Sequence, residues 1–93
     1  MKKINVVVTK AMGEHEAIEM PNTLEAMQEM VGGYIEVVKV DGLANLYAVV
    51  DEEGLLKGKP LTYAHGGLNL VGTIVWCSID ADGEFCGITG LHE

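Results

Sequence analysis

The stretch Val31-Gly32-Gly33-Tyr34-Ile35-Glu36-Val37-Val38 decides the fold, because a helical pattern ends within it and a strand begins. An apolar stripe at helical spacing precedes the glycines, formed by Leu24, Met27, Met30 and Val31. Gly32 is expected to end the helix in the left-handed conformation, since it has no Cβ to clash there. The β-branched residues that follow predict a strand over residues 34–40. We therefore interpret the glycine pair as a helix stop, since a phosphate loop would precede a helix rather than follow one.

The helix is short, and its start is marked by Pro21-Asn22-Thr23. Asn22 or Thr23 can accept hydrogen bonds from the free amides of the first turn. Glu25 lies near the positive end of the helix dipole, where a carboxylate is stabilising. A helix of two to three turns is marginal alone, so we expect tertiary packing to stabilise it.

Strand patterns flank the helix on both sides. Residues 4–9 and 16–20 predict a hairpin, and residues 34–40 and 46–50 predict a second hairpin around the Asp41-Gly42 turn. Residues 55–67 have the composition of a loop. Residues 68–79 form the longest strand-like run, and residues 84–89 are expected to pair back onto it across a tight turn.

The fold class predicted from this order is α+β, in one domain over residues 1–93. The predicted order of elements along the chain is β-β-α-β-β-β-β. We expect the strands to form a small, mainly antiparallel twisted sheet, with the one short helix packed on a face. Both faces of the run over residues 68–79 are largely apolar, so this strand is central or has one face covered by a second subunit. A symmetric turn would set Cys77 opposite Cys86, but a reducing cytosol argues against a disulfide.

The charge balance is strongly acidic, with 14 acidic residues against 6 basic ones and a net charge of −8. All six of these basic residues are lysines. This balance disfavours nucleic acid as a partner, because phosphate neutralisation dominates that affinity. Solubility is the simple explanation of the charge, and mimicry of DNA is a rarer one. No apolar run is long enough to span a membrane and no signal-peptide pattern is present, so a cytoplasmic protein without membrane attachment is expected.

No pattern in the sequence predicts a metal, a cofactor or a catalytic centre. The three histidines, His15, His65 and His92, are scattered, and no C-x-x-C motif occurs. Neither cysteine has a neighbouring histidine or cation to lower its pKa, and Ser78 lies within a strand pattern rather than on a nucleophile elbow. We therefore expect a protein that is not an enzyme.

One glycine-rich segment concentrates groups that suit a small anionic ligand. Its candidate ligand-binding residues are Lys57, Lys59, Tyr63, His65 and Asn69. The lysines would form ion pairs with phosphates, the tyrosine would stack on a base, and the histidine and asparagine would form hydrogen bonds with the ligand. The alternative is an ordinary exposed loop. The other aromatic residues are expected in the core or at an interface, and these are Tyr34, Tyr47 and Trp76.

Several motifs, taken in order, resemble one family of small proteins. They are Thr23-Leu24-Glu25-Ala26-Met27-Gln28, Val31-Gly32-Gly33-Tyr34-Ile35-Glu36, Asp51-Glu52-Glu53-Gly54-Leu55-Leu56-Lys57-Gly58-Lys59-Pro60, Val71-Gly72-Thr73-Ile74-Val75 and Asp80-Ala81-Asp82-Gly83-Glu84-Phe85. The family occurs in phages, plasmids and mobile elements and is catalogued as a domain of unknown function. Its members often carry an asparagine and further polar residues after the proline, where Leu61-Thr62-Tyr63 stands in this chain.

The resemblance implies a phage or mobile-element origin, and proteins of that origin often counter host defence. By analogy, we expect a homo-oligomeric, non-enzymatic binding protein that sequesters a small nucleotide-derived immune signal. An oligomer would bring the glycine-rich segments of two chains together. The alternative is an acidic protein-interaction module that inhibits a host factor.

Overall fold

Strands rich in β-branched residues build an antiparallel sheet in the computed structural model, which describes residues 3–10, 13–40, 45–65 and 67–88. The elements in chain order are β1 (Lys3–Thr9), β2 (His15–Pro21), α1 (Leu24–Val31), β3 (Ile35–Lys39), β4 (Tyr47–Asp51), β5 (Leu61–His65), β6 (Leu68–Val71), β7 (Ile74–Ile79) and β8 (Phe85–Cys86). The main sheet has the order β2-β1-β7-β4-β3, with β8 paired to β7, and β5 and β6 form a separate hairpin. The predicted α+β class with one short helix is confirmed.

The two predicted hairpins are confirmed, with β1 paired to β2 and β3 paired to β4. Strand β7 lies at the centre of the sheet between β1 and β4, as its two apolar faces indicated. The Asp41-Gly42 turn lies outside the described residues.

The prediction of a loop over residues 55–67 is wrong for its second half. Residues Leu61–His65 form β5, which pairs with β6. The single long strand predicted over residues 68–79 is also wrong, because Gly72 divides it. Gly72 has a φ of 75° and donates its N–H to the carbonyl of Pro60 at 2.9 Å. A side chain there would be strained, and its Cβ would lie 2.8 Å from Lys59 Cδ.

The final strand is shorter than predicted, since β8 contains only Phe85–Cys86, and Thr89 lies outside the described residues. Its register sets Ser78 opposite Cys86, so Cys77 does not face Cys86 directly. Both cysteines are free thiols. The pairing that would have favoured a disulfide is therefore absent.

The core has two halves, one on each face of the sheet. Helix α1 covers one face, where the buried residues include Val6, Val8, Met27, Val31, Val49, Val75 and Cys77. The β5–β6 hairpin covers the other face, over Ala48, Val50, Leu70 and Ile74. The apolar second face of β7 is thus covered by the chain's own hairpin.

Helix α1 begins and ends at the predicted residues. The hydroxyl of Thr23 accepts a hydrogen bond from the amide of Ala26 at 3.1 Å. Asn22, the alternative cap, instead donates its side-chain amide to the carbonyl of Phe85 at 2.9 Å. Gly32 adopts the left-handed conformation with a φ of 87° and donates to the carbonyl of Gln28 at 2.8 Å. Within the described part of the chain, no helix is long and apolar enough to cross a membrane.

Candidate functional site

Asp51, the last residue of β4, forms ion pairs and a hydrogen bond near the glycine pair. Its carboxylate is 1% exposed, and Nζ of Lys57 and of Lys59 each lie 2.8 Å from its Oδ2. Its Oδ1 accepts a hydrogen bond from the amide of Glu53 at 2.9 Å. Removing a carboxylate from water costs several kcal/mol. A buried carboxylate therefore stays charged only when ion pairs and hydrogen bonds offset this desolvation penalty.

The same two lysines also bind the C-terminal end of α1. Lys57 Nζ donates to the carbonyl of Gly32 at 3.0 Å, and Lys59 Nζ donates to the carbonyl of Val31 at 2.7 Å. The last turn of α1 contains no basic residue of its own. The lysines therefore supply, from a distant turn, the positive charge that the negative end of a helix dipole favours. We call Asp51, Lys57 and Lys59 the lysine clamp.

Gly33 is required by the lysine clamp rather than by its own backbone conformation. A Cβ at this position would lie 2.7 Å from Lys57 Nζ and 2.8 Å from Asp51 Oδ1. Gly33 therefore packs closely against a charged cluster. The hydrogen bonds from Lys57 and then Lys59 hold the pKa of the Asp51 carboxyl well below its usual range, outweighing the opposite effect of burial.

The residues predicted to bind a ligand are distributed over two places. Lys57 and Lys59 lie together in the lysine clamp, where their charges are paired. Tyr63 lies in β5 and contacts Trp76 edge to face, with ring centroids 5.2 Å apart. Asn69 is exposed in β6, and the side chain of His65 lies outside the described part of the structure. Ligand binding by this set stays a prediction.

A groove of about 480 Å³ lies beside α1, and we call it the acidic groove. Its lining residues are Glu25, Gln28, Glu29, Gly33, Tyr34, Glu53 and Lys57. Three carboxylates face a single cation there, and that cation is already paired with Asp51. Tyr34, expected in the core or at an interface, is 70% exposed on the groove wall.

Two leucines are exposed in the turn that contributes Glu53 and Lys57 to the groove. Leu55 is 81% exposed and Leu56 is 87% exposed. Adjacent large apolar side chains in water, next to a polar groove, are typical of a surface that contacts another protein. The sequence pattern did not single out this pair, because the whole segment has the composition of a loop.

A second cavity of about 380 Å³ lies at the other end of the sheet, lined by Val8, Lys10, Glu14, His15 and Glu16. Trp76 Nε1 donates to the hydroxyl of Thr9 at 2.8 Å. The same hydroxyl lies 2.8 Å from His15 Nδ1. This chain of hydrogen bonds ties β7, β1 and β2 together and satisfies the indole N–H of a half-buried tryptophan.

Among the described residues, no group of three or more histidine, cysteine or acidic side chains could hold a metal ion. Burial, with a smaller effect of Cys86, raises the pKa of Cys77 to about 12, so this thiol is protonated at neutral pH. Glu25, Gln28 and Glu29 lie on α1 outside its apolar stripe. Their contribution to a groove depends on Tyr34 and Glu53, which come from other elements.

A family model described as "Domain of unknown function (DUF3846)" matches residues 1–92. No curated protein and no solved structure gives a significant match to the chain.

Proposed function

The chain belongs to the DUF3846 family, and we propose that it is a non-enzymatic protein-interaction module that binds a basic segment of a partner protein. The observation that carries the proposal is the acidic groove, with Glu25, Glu29 and Glu53 around the exposed ring of Tyr34. Leu55 and Leu56, exposed in the turn that carries Glu53 and Lys57, add apolar contact area. The partner segment would therefore combine lysine or arginine with apolar residues.

A cationic side chain has suitable partners in the groove. An ammonium or guanidinium group can pair with the carboxylates while lying over the face of Tyr34, a contact worth about 0.5–1 kcal/mol at an exposed site. Arginine suits this position better than lysine, because its planar group both stacks and forms paired hydrogen bonds. The net charge of −8 also accelerates encounter with a basic partner.

Sequestration of a small nucleotide-derived signal by a homo-oligomer is the second candidate function. The groove volume of about 480 Å³ falls within the range of small-molecule sites, and Tyr34 offers a stacking surface. The pairing of Lys57 and Lys59 with Asp51 weighs against it, since neither charge is free for a phosphate. Calorimetric titration with cyclic nucleotides and ADP-ribose derivatives tests it, and absence of heat at high protein concentration would contradict it.

We also propose a biological setting for this binding, namely a protein of a mobile element that acts on a host protein. The motifs that resemble proteins of phages, plasmids and mobile elements suggest such an origin for this chain. A basic partner would then be a host defence factor that the module inhibits in the host cytoplasm. Support for this setting comes from the resemblance alone, and the binding test does not depend on it.

Selection from a displayed library of random peptides tests the binding proposal directly. Peptides of about ten residues reach roughly 33 Å when extended, which is enough to cross the groove. We expect the recovered peptides to be enriched in lysine and arginine over the starting library, and to lose affinity as salt is raised. Recovery of no peptide, or of peptides without excess positive charge, would contradict the proposal.

A matched pair of triple variants then locates the site. Glu25→Gln with Glu29→Gln and Glu53→Gln should weaken binding at least about tenfold, because each lost charge contact contributes roughly 0.5–1 kcal/mol. Glu14→Gln with Glu16→Gln and Glu19→Gln makes the same change in net charge at exposed positions in and beside β2. This control should leave affinity within about threefold, since only long-range steering changes. Equal losses in the two variants would show that net charge alone, not the groove, attracts the peptide.

A further inference from the structure

Strand β3 is an edge of the main sheet. The backbone N–H and C=O groups of successive residues point alternately towards β4 and away from the sheet. Glu52 donates its N–H to the carbonyl of Tyr34 at 2.8 Å, and Val40 donates to Leu46 at 3.1 Å. Both bonds fit the register in which Val37 lies opposite Val49. Since hydrogen-bonded positions alternate in an antiparallel pair, the even-numbered residues of β3 bond to β4. The N–H and C=O groups of Ile35, Val37 and Lys39 therefore point away from the sheet.

This outer edge lacks a strand partner among the described residues, where β3 pairs with β4 alone. Natural edge strands are usually protected by charged side chains that project from them, by proline or by bulges. On β3, the register with β4 is regular, and Val37 is 40% exposed. The lysine at its end is exposed and lies against the neighbouring strand, with Nζ of Lys39 5.4 Å from the ring centroid of Tyr47 on β4.

The acidic groove and the β3 edge are continuous. Gly33 and Tyr34 line the groove, and the next residue along the chain, Ile35, begins β3. A chain that leaves the groove along this edge meets outward-facing backbone groups at every second residue. Glu36, also exposed on β3, adds a carboxylate to the same edge, on the sheet face opposite α1.

We propose that the partner segment binds as an added β-strand on the outer edge of β3, with one of its basic side chains in the acidic groove. Main-chain hydrogen bonds to Ile35, Val37 and Lys39 would supply affinity, and the groove would select for positive charge. This inference rests on the proposed function. Charge favours a basic partner over a second copy of this chain, because each copy carries a net charge of −8.

Two proline variants test strand addition with peptides recovered from the library. Val37→Pro removes an outward-facing N–H from β3, so it breaks no hydrogen bond to β4. Ala17→Pro is the matched control on the opposite edge of the sheet. There, Lys10 donates to the carbonyl of Glu14 at 2.8 Å, so Ala17, three residues on in β2, also points outward. We expect Val37→Pro to weaken peptide binding about tenfold or more, through one lost hydrogen bond and a distorted edge, and Ala17→Pro to leave it unchanged.

A peptide methylated on alternate backbone nitrogens provides a second measurement that does not depend on the folding of either variant. Methylation of the peptide nitrogens that face β3 should weaken binding as Val37→Pro does. Methylation of the alternate nitrogens, which point away from β3, should have little effect. Peptides that bind wild type, Val37→Pro and both methylated forms equally would overturn strand addition while leaving the proposed function intact. Recovery of no peptide at all would overturn the proposed function, and this inference with it.

Discussion

Nζ of Lys59 lies 2.8 Å from Oδ2 of Asp51 and 2.7 Å from the carbonyl oxygen of Val31. The side chain of Lys59, 28 residues from Val31 in the sequence, thus joins the end of β4 to the end of α1. Lys57 makes the equivalent pair of contacts to Asp51 and Gly32. The junction between helix and sheet is therefore held by charge in addition to apolar packing.

Asp51→Asn should lower the free energy of unfolding by about 2 kcal/mol, because two lysines lose their shared counter-ion within a buried cluster. The loss is smaller than for a fully buried pair, since both lysines are partly exposed and keep their carbonyl partners. Urea denaturation measures it. Glu52→Gln removes the same charge at an exposed position of the same turn and should change stability by less than about 0.5 kcal/mol. Equal effects of the two substitutions would contradict a structural role for the clamp.

Stability should also depend on pH through Asp51. Its pKa is lower in the folded protein than in the unfolded chain, so the unfolded state binds the proton first. The stabilisation is complete above the unfolded value of about 3.9 and decreases as pH falls below it. The difference in unfolding free energy between wild type and Asp51→Asn should therefore shrink between neutral pH and acid. Parallel stability curves over that interval would contradict the assignment.

Gly33→Ala should destabilise the protein by about 1–3 kcal/mol, because its Cβ would lie 2.8 Å from the buried Asp51 Oδ1. The substitution should be less costly in an Asp51→Ala background, where that oxygen is gone. A double-mutant cycle, measured by urea denaturation, gives this coupling. Additive effects of the two substitutions would show that the cost of alanine at this position arises elsewhere.

Thr9→Val should destabilise the protein by about 1 kcal/mol, since it removes the hydroxyl that accepts from Trp76 Nε1 and leaves the indole N–H without its partner. Thermal unfolding followed by circular dichroism measures the change. Thr9→Ser keeps the hydroxyl and should retain most of the stability. If serine proves as costly as valine, packing of the threonine methyl group rather than the hydrogen bond is responsible.

The two cysteines should differ in reactivity towards a thiol reagent. Cys77 is fully buried and its pKa is raised to about 12, mainly by burial, so it has almost no thiolate near pH 8. Cys86 is half-buried in β8 and should be modified first in the native protein. Mass spectrometry of the labelled protein counts the added groups, and both sites should react in denaturant. Simultaneous labelling of the two in the folded state would contradict this order.

Local signals in the sequence were sufficient for α1 and the two hairpins, because caps, glycine stops and β-branched runs act over a few residues. Strand β5 was missed, since its formation depends on pairing with β6 and on the contact of Tyr63 with Trp76. The break at Gly72 was missed as well, because a glycine with positive φ looks the same in sequence as one within a strand.

The candidate site was less predictable than the fold. The sequence predicted Lys57 and Lys59 as ligand-binding residues, but it gave no indication that both pair with Asp51. No local pattern distinguishes Asp51 from the acidic residues beside it, and the lysines donate to carbonyl groups that lie 25 and 28 residues away in the sequence. The acidic groove is likewise formed by residues of α1, the start of β3 and the turn after β4, which no short motif connects.

The edge-to-face contact between Tyr63 and Trp76 gives the molecule a built-in optical reporter. Trp76 is the only tryptophan of the chain, and it lies where the separate β5–β6 hairpin covers the main sheet. Its fluorescence therefore registers undocking of the hairpin, whereas far-ultraviolet signals register loss of the sheet itself. Comparison of the two signals in one titration distinguishes a chain that opens layer by layer from one that unfolds in a single step.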